Sequence, residues 1–108
     1  MVKGFELMEV IPKKYFLRTA KKYKKKHYDL SKVNKVVSLI EKEDFEQLYT
    51  KHKLGVIHGT HPPLYHVHVD RAYNDDWLLF YFGDNNKIYL SALGNHNLIE
   101  HISKIFND

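Results

Sequence analysis

The apolar residues change period part-way along the chain, and that switch constrains the fold more than any other feature. Phe16, Ala20, Tyr23 and His27 recur at spacings of 4, 3 and 4, and Leu30, Val33, Val36, Val37 and Ile40 mark a second stripe. Such stripes are the buried faces of amphipathic helices. From Tyr65 the pattern alternates: Tyr65, Val67 and Val69 point one way, while His66, His68 and Asp70 point the other. "WLLFYF" and "KIYLSAL" follow as two more strands, separated by the turn sequence "GDNN". Their short connections require an antiparallel meander.

Local signals set the boundaries. "FELMEVI" is expected to form a strand, and Pro12 suits the first turn of a helix running from Lys13 to about Lys26. Asp29 can cap the second helix. Asp44 and Gln47 have capping-box spacing at the start of a short third helix, to which Phe45, Leu48 and Tyr49 give an apolar side. "KHKLGVIHGTHPP" is expected to be a loop, "RAYNDD" a polar turn, and Gly94 the end of the last strand. In "NLIEHISKIF", Asn97 is a candidate cap and Leu98, Ile102 and Ile105 share one face of a C-terminal helix. The first two long helices form an antiparallel hairpin in this reading, with Lys21, Lys22, Lys24, Lys25 and Lys26 on its outside. The whole is α+β: one domain over residues 1–108, with an N-terminal strand and a basic helical hairpin packed on one side of a curved antiparallel sheet.

Composition narrows the chemistry. With no cysteine, disulfides, cysteine-ligated zinc and a cysteine nucleophile are excluded. No apolar run approaches the ~20 residues needed to cross a bilayer. "MVKGFELMEV" lacks the apolar stretch of a signal peptide, so a cytoplasmic protein without membrane contact is expected. Residues 1–53 hold 14 Lys/Arg against 7 Asp/Glu, whereas residues 54–108 hold 3 against 6. A cationic half of this kind suits a polyanion, because phosphate contacts release counterions. A solvated lysine-rich helix face would have the same composition.

Eight histidines are the other anomaly. His66 and His68 leave the same strand face about 6–7 Å apart. With His58 or His61 they could share a zinc ion, although no carboxylate or cysteine stands at recognisable ligand spacing. Histidine can also take and give protons near neutrality. RNA cleavage through the ribose 2′-OH needs both actions, plus cations to steady the charge on phosphorus. A polar, solvent-facing strand surface is the third reading.

Order and spacing resemble a known family. "KHKL", "YHVHVD", "DDWLLFYF" and "KIYLSALGNHNLI" follow the RelE-superfamily toxins of bacterial type II toxin–antitoxin systems, and most closely their YafQ branch. "KKYFLRTAKKYKKKHYDLSKVNKVVSLIEK" looks like that family's basic helical hairpin. The resemblance implies a small α+β toxin and a ribosome-dependent mRNA endoribonuclease (an mRNA interferase) that uses no cofactor or metal. It implies catalytic roles for His52, His68, Asp76 and His96, with His96 as the proton-transfer residue near the leaving group. His68 and Asp76 would act as base or as orienting partners, and His52 would assist at the phosphate. Trp77 is expected in the core. Lys21, Lys22, Lys24, Lys25, Lys26 and Arg71 are the expected RNA contacts. A cognate antitoxin, mRNA and the ribosome are the implied partners. The family's arginine near the end of the last strand is replaced by Ala92, and its late aromatic residue by Glu100. Those departures also fit a RelE-like protein that binds its antitoxin, in a repressor complex, and has lost cleavage.

Overall fold

The computed structural model describes residues 8–102 and 104. Strand β1 (Glu9–Pro12) leads into helix α1 (Lys14–Lys25), and α2 (Ser31–Glu41) and the short α3 (Phe45–Thr50) follow. Then come β2 (Gly55–Ile57), β3 (Leu64–His68), a 3₁₀ turn (Arg71–Tyr73), β4 (Leu78–Asp84), β5 (Lys87–Gly94) and a second 3₁₀ turn (His96–Glu100). The sheet order is β1-β5-β4-β3-β2. The β3–β4–β5 meander is antiparallel, as the alternation requires. β1 joins β5 in parallel, so the sheet is mixed.

Both long helices stop in the same way. At the end of α1, His27 takes a positive φ of 66° and the Tyr28 amide donates to the Tyr23 carbonyl. At the end of α2, Glu43 does the same at 56°, with the Asp44 amide on the Leu39 carbonyl. These are left-handed helix stops that satisfy otherwise unpaired carbonyls. His27 is therefore exposed beyond the helix and does not extend its buried stripe. Asp29 accepts from the Ser31 amide at the start of α2. Asp44 accepts from the Gln47 amide and side chain, completing the expected capping box.

Apolar residues pack on both sides of the sheet. Phe16, Tyr23, Val33, Val36, Ile40 and Leu48 from the helices meet Val67, Val69, Leu79, Ile88 and Leu90 on one face. Leu64, Leu78, Phe80, Phe82 and Ala92 form a second cluster with Ile102, and Leu98 and Ile99 pack against it. In β5 the register steps from Tyr81 opposite Leu90 to Phe80 opposite Ala92, which leaves Ser91 as an extra, bulged residue. The bulge shifts the alternation, so Ile88 and Leu90 face the helices while Ala92 faces away.

Several expectations are corrected. Pro12 ends β1 opposite Leu90 and does not enter the helix. The segment expected to be a loop contains β2, paired antiparallel with β3. Only Leu48 of α3 is buried; Phe45 and Tyr49 are exposed. Asn95, not Asn97, precedes the last turn, and it makes no side-chain cap. That turn is 3₁₀ over His96–Glu100, and Ile105 of the expected C-terminal helix lies outside the described residues, as does the start of "FELMEVI". Among the described residues no helix is long and apolar enough to cross a membrane.

Candidate active site

At the end of the meander, three segments bring two imidazoles face to edge. His68 is the last residue of β3, and His96 leaves the end of β5; their ring centroids are 5.0 Å apart. His68 is buried and His96 is half exposed. The pair is thus neither split across the molecule nor sealed inside it.

Each ring is held by its own carboxylate. His96 meets Asp76 Oδ1 twice, its amide donating at 2.8 Å and its Nδ1 lying at 2.5 Å. His68 Nδ1 lies 2.8 Å from Asp75 Oδ1, and Lys53 Nζ lies 2.7 Å from Asp75 Oδ2. With each Nδ1–H given to a carboxylate, both rings keep Nε2 for a ligand. The Lys53 ammonium beside Asp75, helped by His68, holds its carboxyl down to about 2. Hydrogen bonds from His96, amide first and then ring, lower Asp76. Both carboxylates are therefore charged at neutral pH.

Local backbone makes this division of labour. Asn74 and Asp75 are both left-handed, with φ of 60° and 53°. These residue types tolerate that conformation best after glycine. Their turn swings two adjacent carboxylates onto two imidazoles, one at the end of β3 and one in the turn after β5. Trp77 then anchors the segment: it is fully buried, among the rings of Tyr23, Tyr28 and Tyr73 at 4.9–5.7 Å. Gly94 serves the other partner. A Cβ there would lie 2.5 Å from Leu98 Cδ2 and 3.2 Å from Leu98 Cβ, so glycine lets the last turn pack closely on the end of β5 without displacing Leu98.

The remaining predicted residues divide. His52 donates Nδ1–H to the His68 carbonyl at 2.6 Å and accepts the His68 amide on its own carbonyl at 2.7 Å. It thus braces the end of β3, and it lines a shallow depression with Lys32, Lys35, Gln47 and Asp70. His66 shares the sheet face of His68 and packs over Gly55; burial, then the charges on His68 and His96, push its ring pKa down. His58 and His61 are exposed in the β2–β3 loop, before Leu64, which itself stands four strand positions or about 13 Å from His68 along β3. Among the described residues, no group of three or more His, Cys, Asp or Glu is placed to hold a metal ion. Lys21, Lys22, Lys24, Lys25 and Lys26 are all exposed on or just after α1, and Arg71 is exposed at the first 3₁₀ turn. Ala92, which the sequence resemblance sets against an arginine of the family, is fully buried opposite Phe80. Lys53 and Asp75 escaped the sequence reading. The doubled Asp75-Asp76 was visible, but nothing local showed that each carboxylate serves a different ring.

Comparison with known proteins decides the family. A model described as the bacterial toxin of type II toxin–antitoxin systems, YafQ, matches residues 8–101. The chain belongs to the YafQ toxin family. Three solved structures share its fold. The Escherichia coli DinJ-YafQ toxin-antitoxin complex matches with a TM-score of 0.70 and 18% identity, over 85% of this chain and 96% of that one. A metal-bound Helicobacter pylori toxin matches at 0.69 and 26% identity, over 84% and 97%. A copper-bound mutant toxin from the same organism matches at 0.70 and 22%, over 84% and 97%. No curated protein sequence matches at a significant level.

Proposed function

We propose that this YafQ-family toxin is a ribosome-dependent mRNA endoribonuclease that cuts by 2′-OH attack without metal. The observation that carries the reading is the double pair, Asp75–His68 and Asp76–His96, with rings 5.0 Å apart. His68 in its neutral form takes the proton from the ribose 2′-OH. The O2′ atom then attacks phosphorus, the P–O5′ bond breaks, and His96 in its charged form protonates the leaving O5′. The products are a 2′,3′-cyclic phosphate and a free 5′-OH. Lys53 supplies the nearby cation that Ala92 cannot. His52 is a positioning residue for His68 in this mechanism. Exposed lysines of α1 would hold ribosomal RNA, and that target would place the protein in the cytoplasm. A cognate antitoxin is the expected inhibitor, by analogy with the DinJ-YafQ complex.

One feature supports a second reading. The buried Ala92 removes the family's phosphate-facing arginine, and loss of such a contact commonly costs ~10²–10³ in rate. The chain would then bind antitoxin without cutting RNA. Cleavage of a defined message on purified ribosomes separates the two. The nuclease reading expects cleavage that falls about 10²–10⁴-fold in His96→Ala and His68→Ala. Uncut message with folded wild-type protein supports the non-cleaving reading.

A further inference from the structure

The far end of the same sheet face holds a second cleft that this chemistry does not use. Its volume is about 470 Å³, and Lys13, Lys14, Tyr15, Tyr89, Ser91 and Ile102 contribute to its walls. Three independent features meet there.

The first is the start of α1. Lys13 caps the helix without a side-chain hydrogen bond, and no acidic residue stands in the first turn. The helical ladder begins with the Leu17 amide on the Lys13 carbonyl, so the amides of Lys14, Tyr15 and Phe16 precede it. Lys13 and Lys14 add two positive charges to the residues that begin the positive end of the helix dipole, an arrangement that an anion relieves. The second is Ser91. The bulge turns it onto this face, where it is 8% exposed and its Oγ has no hydrogen-bond partner. The third is aromatic surface. Tyr89 stacks on Phe82 with ring centroids 4.7 Å apart, and Lys13 Nζ lies 5.7 and 5.9 Å from the two centroids.

An anion seat beside aromatic rings fits a nucleotide: phosphate on the amides and lysines, base against a ring. From Tyr89 to Gly94 the strand rises about 17 Å, and His96 lies just past its end. We propose that the cleft at the N-terminus of α1 is a phosphodiester subsite. It would hold the RNA strand a few nucleotides away from the bond that His68 and His96 address. This rests on the reading of the chain as an RNA-cleaving toxin.

The test uses the full chain and a six-residue 2′-O-methyl oligoribonucleotide, which lacks the attacking hydroxyl and cannot be cut. Amide shifts and affinity are followed by NMR in wild type, His96→Ala, Ser91→Ala and the double variant Lys13→Glu/Lys14→Glu. Shifts at residues 13–16 and 89–91 are expected in wild type and in His96→Ala. The double variant should bind at least 10-fold more weakly. Ser91→Ala should bind several-fold more weakly yet melt at a higher temperature, because it removes an unpartnered buried hydroxyl. Unchanged affinity in the double variant overturns the proposal, and so does binding of the oligonucleotide no tighter than that of inorganic phosphate. If the nuclease reading fails instead, ribosomes and message stay uncut while the oligonucleotide still shifts residues 13–16. If only the subsite fails, cleavage proceeds and those residues do not respond.

Discussion

Asp75 and Asp76 are neighbours in the chain, yet each is committed to a different ring. Asp75 carries an acid-sensitive share of stability. Its carboxyl is lowered from an ordinary 3.8 to about 2. Between those values the unfolded chain binds the proton that the folded chain refuses, so stability rises with pH there. The contribution is complete above about pH 4 and is lost as pH falls through 2. Denaturant unfolding at pH 5, 4 and 3 should therefore show Asp75→Asn destabilised most at pH 5, with the gap narrowing as pH drops. Asp76→Asn keeps the shape but puts an amide on His96 Nδ1, which upsets the tautomer that leaves Nε2 free. Its cleavage rate should fall about 10²-fold or more, with unchanged circular dichroism. Asp76 and His96 were legible as candidates because their short motifs, "DDW" and "GNH", are contiguous. Lys53 was not, since its ion pair joins residues 22 apart through a left-handed lysine with φ 49°.

Helices, turns and the meander follow local rules, so most elements were readable. The capping box at Asp44 and the hairpin turn at Asn85-Asn86, both with positive φ, behave as their residue types dictate. Strand β2 escaped because three residues within a Gly/Pro-rich loop carry no period. The bulge escaped because Ser91 and Ala92 continue an apolar run that one register explains as well as the next. Two changes probe elements rather than chemistry. Gly94→Ala forces a methyl into Leu98 and should cost about 1–3 kcal/mol in urea unfolding. It should also slow cleavage, because the last turn must shift and take His96 with it. Glu43→Gly relieves a left-handed glutamate at the end of α2 and should stabilise by about 1 kcal/mol, read as a higher melting temperature.

At the scale of the whole molecule, charge is segregated: the N-terminal half carries 14 of the 17 basic residues. Replacing Lys21, Lys22, Lys24 and Lys25 by Gln should leave the melting temperature nearly unchanged, because all four are exposed. Ribosome co-sedimentation should weaken, and the slope of log affinity against log salt should flatten, since fewer counterions are released. The long-range ties were the least legible part, because they join segments that no local pattern connects. The Trp77 cage of Tyr23, Tyr28 and Tyr73 is one. Thr19 is another: its hydroxyl, buried on α1, takes the Leu93 amide at 2.9 Å, three residues before His96. That hydrogen bond ties the helix that carries the lysines to the strand that leads to His96. In the proposed reading, RNA held by the lysines of α1 would therefore sit at a fixed position relative to His96.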